Sequence, residues 1–314
     1  MAPEAAKGAR GSPVGRVLSG AMAIIVMIVA VWIAVRELGA LEPAALLHTL
    51  RSLPATALVA CVGFTLASYG CLAIQEGYGL AMFHRRMPTW RIAANATIAN
   101  ALSSVVGFGL ASGPVVRLRL YRRAGLANRT IAELALLMSL ATYLSGLATL
   151  GLSVILWPEP VAMALHKSLP LTVLAAAALV APAILWLIPI RPEQRVLTAS
   201  QRAGGLAASV SDWVFSGAAL FSVSGRDLAD FPAFLAVFCL GSLLGSLSGV
   251  PIGLGVLEAT MLTLRFDAQV HETAAALIVY RAIYFACPAL AAAVALGLLQ
   301  VADFGRRRAG SNAR

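Results

Sequence analysis

Charge is scarce in this chain. Asp, Glu, Lys and Arg make up 12% of its 314 residues, against about 25% in a soluble globular domain. Apolar residues reach 60%, and mean hydropathy is +0.84. A soluble fold has too little interior for such a surplus, so the composition excludes a water-soluble enzyme and a disordered tail alike and points to an all-α polytopic membrane protein. Acid is scarcer still: 14 Asp and Glu stand against 24 Lys and Arg, for a net charge of +10. In a soluble protein that excess would suggest nucleic acid. Here the basic bias of cytoplasmic membrane loops explains it more simply, and no nucleic-acid partner is expected.

Cysteine and histidine are equally sparse, with four of each. Cys61, Cys71, Cys239 and Cys287 sit in apolar runs, where a free thiol acts as a small hydrophobe. No paired spacing suggests a disulfide framework or a zinc site. His48, His84, His166 and His271 fall in connecting segments without a metal-ligand pattern, so neither a metal nor a cofactor is expected. No histidine lies in a membrane run beside a serine nucleophile, and the aqueous loops are too short for a folded catalytic domain. The glycines of Gly107-Phe-Gly109 and Gly113 lack dinucleotide-fingerprint spacing, and no Walker lysine follows either glycine run.

A transmembrane helix needs about 20 mainly apolar residues. Six runs meet this: 17–35, 53–75, 131–156, 169–190, 205–223 and 273–300. The first is too long for a signal peptide, lacks a small-residue cleavage site and reads as a retained span. Two further stretches, 91–116 and 231–262, are broken by glycine and proline. The breaks are Gly107, Gly109, Gly113 and Pro114 in the first, and Gly249, Pro251, Gly253 and Gly255 in the second.

Charge decides whether these two stretches cross. With Lys7, Arg10 and Arg16 cytoplasmic, a full crossing at 91–116 would export the densest basic cluster, Arg117, Arg119, Arg122, Arg123 and Arg129. If both stretches are re-entrant hairpins instead, 18 basic residues face the cytoplasm and five face outside, with Arg281 inside a span. The expectation is about six full spans plus two re-entrant broken-helix hairpins, eight hydrophobic segments in all. Both termini are then cytoplasmic in a bacterial-type inner membrane, with basic tails at 1–16 and 303–314 around a membrane domain at 17–302.

Each half, about 17–156 and 169–302, then reads span, span, hairpin, span. Three crossings invert the second half, which is the pattern of an inverted repeat. An offset near 142 aligns Gly107 and Gly113 with Gly249 and Gly255, and sets Tyr69-Gly70 opposite Ser211-Asp212.

Ionisable groups inside a bilayer are costly and usually face a cavity or a partner. Asp212 in Ser-Val-Ser-Asp-Trp, Glu258 after the second glycine break, and Arg281 in the last run are the candidates. Arg281 is expected to pair with Glu258 or Asp212, either in transport or as a static pin between helices. Arg117 follows Gly113-Pro114 and is placed at the mouth of the first break, where helix ends expose free backbone groups. There it would draw an anionic headgroup; the plainer reading is that it only fixes topology.

Three ordered motifs carry a resemblance covering about residues 20–300. Asn100-Ala-Leu-Ser-Ser-Val-Val-Gly-Phe-Gly-Leu-Ala-Ser-Gly-Pro-Val-Val-Arg117, Gly249-Val-Pro-Ile-Gly-Leu-Gly-Val-Leu-Glu258, and Tyr280-Arg281-x-x-Tyr284 are similar to signatures of the lysylphosphatidylglycerol synthase transmembrane (flippase-like) family. Ile252 departs from that pattern, where the family often has glycine. The resemblance implies a module that moves phospholipid such as lysylphosphatidylglycerol between leaflets, as in the membrane half of the multiple peptide resistance factor. Aminoacyl transfer belongs to a cytosolic synthase domain not found in this sequence, so no enzymatic activity is expected. The path would involve Arg117, Asp212, Glu258, Tyr280, Arg281 and Tyr284. Two other classes remain open: a membrane scaffold for a separate lipid synthase or glycosyltransferase, and a proton-coupled small-solute carrier using Asp212 and Glu258.

Overall fold

The computed structural model describes residues 51–83, 85, 87–106, 109–159, 162, 167–187, 198–247, 256–263 and 270–298. The expected first span at 17–35, both basic tails, Gly107, Gly249, Pro251, Gly253 and Gly255 lie outside the described residues; Gly109, Gly113, Pro114 and Glu258 are described in their backbone alone.

Among the described residues the chain is helical, with no strand. The helices are α1 (Ala55–Met82), α2 (Thr89–Val106), α3 (Gly109–Arg123), α4 (Asn128–Leu156), α5 (Leu169–Trp186), α6 (Ala199–Ser222), α7 (Phe231–Leu247) and α8 (Val256–Thr263). The last, α9, starts at Val270, passes through a π turn at Ala282–Ala286, and runs on to Leu298. Five stretches are long and apolar enough to cross a membrane: Ala55–Met82, Asn128–Leu156, Leu169–Trp186, Leu228–Leu247 and Ala275–Leu298. The protein is a helical membrane protein.

Local chemistry sets several boundaries. Pro54, with extended backbone, separates α1 from what precedes it. Ser168 precedes α5 and Pro170 occupies its first turn, where a missing N–H costs nothing. The α6 helix starts at a capping box: Gln201 N donates to Thr198 Oγ1 at 3.2 Å, and Thr198 N donates to Gln201 Oε1 at 2.9 Å. The α3–α4 turn needs Gly125, whose φ of +80° disfavours any side chain. There Leu126 N reaches back to Tyr121 O, closing the last turn of α3.

Several boundaries differ from the hydropathy reading, two of them with a bearing on the site. The α1 helix continues seven residues past 75, because buried partners inside the protein satisfy Gln75 and Glu76. The α3 helix begins at Gly109 and runs through Gly113 and Pro114 without leaving helical backbone, so neither of these two expected breaks interrupts it.

The centre of the fold is the antiparallel pair α1 and α6. Ser222 Oγ meets the Ala57 carbonyl at one end, and the Tyr78 ring lies against Gly204 and Gly205 at the other. Lipid tails are as apolar as leucine, so small and polar side chains, more than burial of hydrocarbon, draw such helices together. Close approach is most evident where a Cβ on Gly151 of α4 would stand 2.5 Å from the Ala176 carbonyl oxygen of α5. One apolar cluster, including Leu102, Leu220, Phe238, Leu277 and Tyr280, joins α1, α2, α6, α7 and α9. A second, with Leu80, Tyr121, Leu126, Ile131, Leu134 and Met138, ties the end of α1 to α3 and α4.

Helix boundaries recur at the 142-residue offset. Shifted by that amount, α2 falls on 231–248 and α4 on 270–298, against an observed α7 of Phe231–Leu247 and an observed α9 spanning 270–298. Shifted α1 covers 197–224, around the observed α6 of Ala199–Ser222.

Candidate functional site

The inward face of α1 buries Thr65, Ser68, Gln75 and Glu76. That of α6 buries Arg202, Ser209, Asp212 and Ser216. Together they line these helices with hydrogen-bonding groups instead of leucine, and three clusters form along α1.

The first joins α1 to α3. Arg117 Nε donates to Glu76 Oε1 at 2.9 Å, and Arg117 Nη2 donates to Oε2 at 2.8 Å. Tyr121, one turn further along α3, donates its hydroxyl to Oε1 at 3.0 Å. Glu76 and Arg117 are 1% and 5% exposed, so this is a desolvated pair and not a surface ion pair. The planar guanidinium matches a carboxylate at two points and fixes the angle between the helices. Arg117 therefore stands inside the protein with its guanidinium fork occupied by Glu76, and not at an open mouth. Of the other α3 arginines, Arg122 is exposed and Arg119 is half-buried.

The second cluster surrounds Asp212. Ser68 Oγ donates to Asp212 Oδ1. The same Ser68 oxygen lies 2.7 Å from the Tyr284 hydroxyl. Tyr69 donates its hydroxyl to the Tyr284 carbonyl at 3.3 Å, and Tyr284 sits within the π turn of α9. The Tyr280 and Tyr284 rings stack with centroids 5.0 Å apart, and Tyr69 packs on Tyr284 at 5.8 Å.

The third cluster lies one helical turn from Asp212 along α6. Gln75 Nε2 donates to Ser209 Oγ at 3.1 Å, and Ser209 Oγ lies 2.6 Å from Ser145 Oγ of α4. Trp213 Nε1 donates to the Thr142 carbonyl at 3.0 Å. Gly146 leaves room for the Trp213 ring, which a Cβ there would approach to 2.6 Å.

Of the sequence-derived candidates, Asp212, Tyr280 and Tyr284 come together. Arg281 follows Tyr280 on α9, but Asp212 makes no ion pair among the described residues, so one of the two partners expected for Arg281 is not a direct one. The other, Glu258, has backbone in α8 and a side chain outside the described residues. Arg117 belongs to a separate cluster nearer the basic end of α1. Sequence reasoning missed Glu76, Ser68, Tyr69, Gln75, Ser145, Ser209 and Tyr121. A signal for Glu76 was present, since Gln75-Glu76 continues an uninterrupted helical run, but a hydropathy window ends there. Arg202, which precedes the apolar run at 205–223, is buried in the first turn of α6.

No protein-family model matches the chain. The chain is similar to "Uncharacterized protein slr0712" of Synechocystis sp. (strain ATCC 27184 / PCC 6803 / Kazusa), at 26% identity over 258 residues, covering 75% of this chain and 78% of that protein.

Proposed function

We propose that this protein is an integral membrane lipid transporter of flippase or scramblase type. It moves a phospholipid, such as lysylphosphatidylglycerol or a related lipid, between leaflets. The observation that carries the reading is the polar inward face of α1, where Glu76 pairs with Arg117 of α3 and Ser68 holds Asp212 of α6, all buried in helices that otherwise present hydrocarbon. Ionisable groups held inside a membrane at this cost commonly mark substrate pathways.

The 142-residue recurrence and the antiparallel α1–α6 pair support an inverted repeat, the architecture in which such sites sit at the interface between halves. In this reading α2–α3 and α7–α8 are the two re-entrant hairpins, both termini face the cytoplasm of a bacterial-type inner membrane, and the flippase-like resemblance supplies the substrate class. The Glu76–Arg117 pair closes the pathway at its basic end and opens when a headgroup phosphate takes the place of Glu76 on Arg117.

The test is reconstitution with headgroup-labelled phosphatidylglycerol and lysylphosphatidylglycerol, followed by removal of outer-leaflet label with an impermeant quencher. Wild-type protein is expected to expose inner-leaflet label. Arg117→Ala, Glu258→Gln and Arg281→Ala, checked for folding, are expected to slow that exposure.

A scaffold reading has one observation in its favour: Glu76 and Arg117 satisfy each other at two points, as a static pin would. Folded protein that leaves every labelled lipid in place would favour it.

A further inference from the structure

Asp212 is thirteen residues into α6, and its partner Ser68 is thirteen residues into α1. At 1.5 Å per residue each lies about 20 Å from its helix start, which is mid-depth in a bilayer. Asp212 as a residue is 8% exposed; among the described residues its carboxyl group has one hydrogen-bond donor and forms no ion pair. A static anchor inside a membrane is normally paired with a cation or saturated with donors. Asp212 has neither.

What it has is a reversible chain. With Asp212 ionised, Tyr284 O–H donates to Ser68 Oγ, and Ser68 O–H donates to Asp212 Oδ1. With Asp212 protonated, Asp212 O–H donates to Ser68 Oγ, and Ser68 O–H donates to the Tyr284 oxygen. The Ser68–Tyr284 contact at 2.7 Å accepts either direction, so both protonation states keep the three groups bonded without moving a heavy atom. Tyr284 is carried by a π turn, a helix irregularity frequently found at functional sites. One turn along α6 towards the basic end, Ser209, Gln75 and Ser145 provide the next hydrogen-bonding groups.

Among the described residues, the titratable groups within electrostatic reach of Asp212 are Tyr69 and Cys71 from α1, and Tyr280 and Tyr284 from α9, with Arg281 next to Tyr280 in the chain. The α4 helix meets this part of α6 through Thr142 and Ser145, and α7 meets it through Phe238.

We propose that Asp212 is a proton-binding site, loaded and emptied through the Ser68–Tyr284 hydroxyl chain, through which the protein couples transport to a proton gradient. In each cycle one proton leaves water on one side, forms the Asp212 O–H bond, and passes from that bond to water on the other side. Coupling rests on the transporter reading; proton binding does not.

The experiment is infrared difference spectroscopy of the full chain in phosphatidylglycerol vesicles, titrated from about pH 8 to about pH 5, the range over which a proton-coupled group must exchange. The protonated-carboxyl C=O band is expected to grow in wild type and to lose one component in Asp212→Asn. Ser68→Ala is expected to keep that component with a displaced midpoint, which separates titration from misfolding of the Asn variant. Identical carboxyl spectra for wild type and a folded Asp212→Asn overturn the proposal.

A second arm imposes a pH gradient on vesicles carrying labelled phosphatidylglycerol. The gradient is expected to accelerate transfer in wild type and to have no effect in Tyr284→Phe, whose carboxyl band persists. An Asp212 band without lipid transfer upholds the proton site and overturns the lipid reading. Lipid transfer with no Asp212 band overturns the proton site alone.

Discussion

Arg117 closes a two-point fork on Glu76, forty-one residues earlier in the chain, with both side chains almost wholly removed from solvent. Taking two charges out of water costs more than most ion pairs return, so the value of such a pair lies in what happens when one partner leaves. Arg117→Ala or Glu76→Ala strands a buried charge and is expected to cost about 3–5 kcal/mol. The double variant Glu76→Leu, Arg117→Met, which leaves no charge, is expected to recover most of that loss while abolishing transport. Thermal unfolding in detergent checks both; single variants as stable as wild type would contradict the buried fork.

Tyr121 completes the same cluster and gives a smaller effect. Tyr121→Phe removes one donor to Glu76 and preserves the ring packed in the second apolar cluster. The expected cost is about 1.5–3 kcal/mol, the range for a hydrogen bond to a charged group, and below that of Arg117→Ala. A loss equal to that of Arg117→Ala would mean that the hydroxyl and not the guanidinium holds Glu76.

Much of this was legible in the sequence, for physical reasons. The spans are read from composition because a bilayer admits few solutions other than apolar helices. Asp212 was legible because an acid in such a run is rare, and Arg117 because it follows a glycine-rich break. Glu76 was not: it falls at the edge of a hydropathy window, and its partner is remote in sequence. Ser68 and Tyr69 were not, because hydroxyls are common in membrane helices and only the α1–α6 packing distinguishes these. The expected break at Gly113-Pro114 lies within α3, since neighbouring helices can satisfy the backbone group that a proline frees.

Glycine positions separate close packing from open surface. Gly151→Val would drive a Cβ into the Ala176 carbonyl, a backbone atom that cannot rotate away, and is expected to cost about 1–3 kcal/mol. Gly63→Ala, with nothing within 4 Å of the added carbon, is expected to be neutral. Equal unfolding temperatures for the two variants would refute the α4–α5 contact.

Antiparallel α1 and α6 make a topological prediction. With Cys61, Cys71, Cys239 and Cys287 replaced by alanine, single cysteines at Phe83 and Ser200 are expected to react with an impermeant maleimide from the same side of the membrane. Cysteines at Ala55 and Asp227, both exposed, are expected to react from the opposite side. Labelling of Phe83 and Ser200 from opposite sides would contradict the arrangement.

The central claim is that this chain carries lipid between leaflets along the α1–α6 seam. The most direct measurement is the fraction of labelled phosphatidylglycerol reached by an impermeant quencher as protein per vesicle is raised, for wild type and for folded Glu76→Gln, Arg117→Ala and Asp212→Asn. The account predicts that the reachable fraction climbs with wild-type protein as more vesicles hold a copy, and that it stays at the outer-leaflet value with each variant. A fraction that does not change with wild-type protein, for phosphatidylglycerol and lysylphosphatidylglycerol alike and with or without a pH gradient, would contradict it.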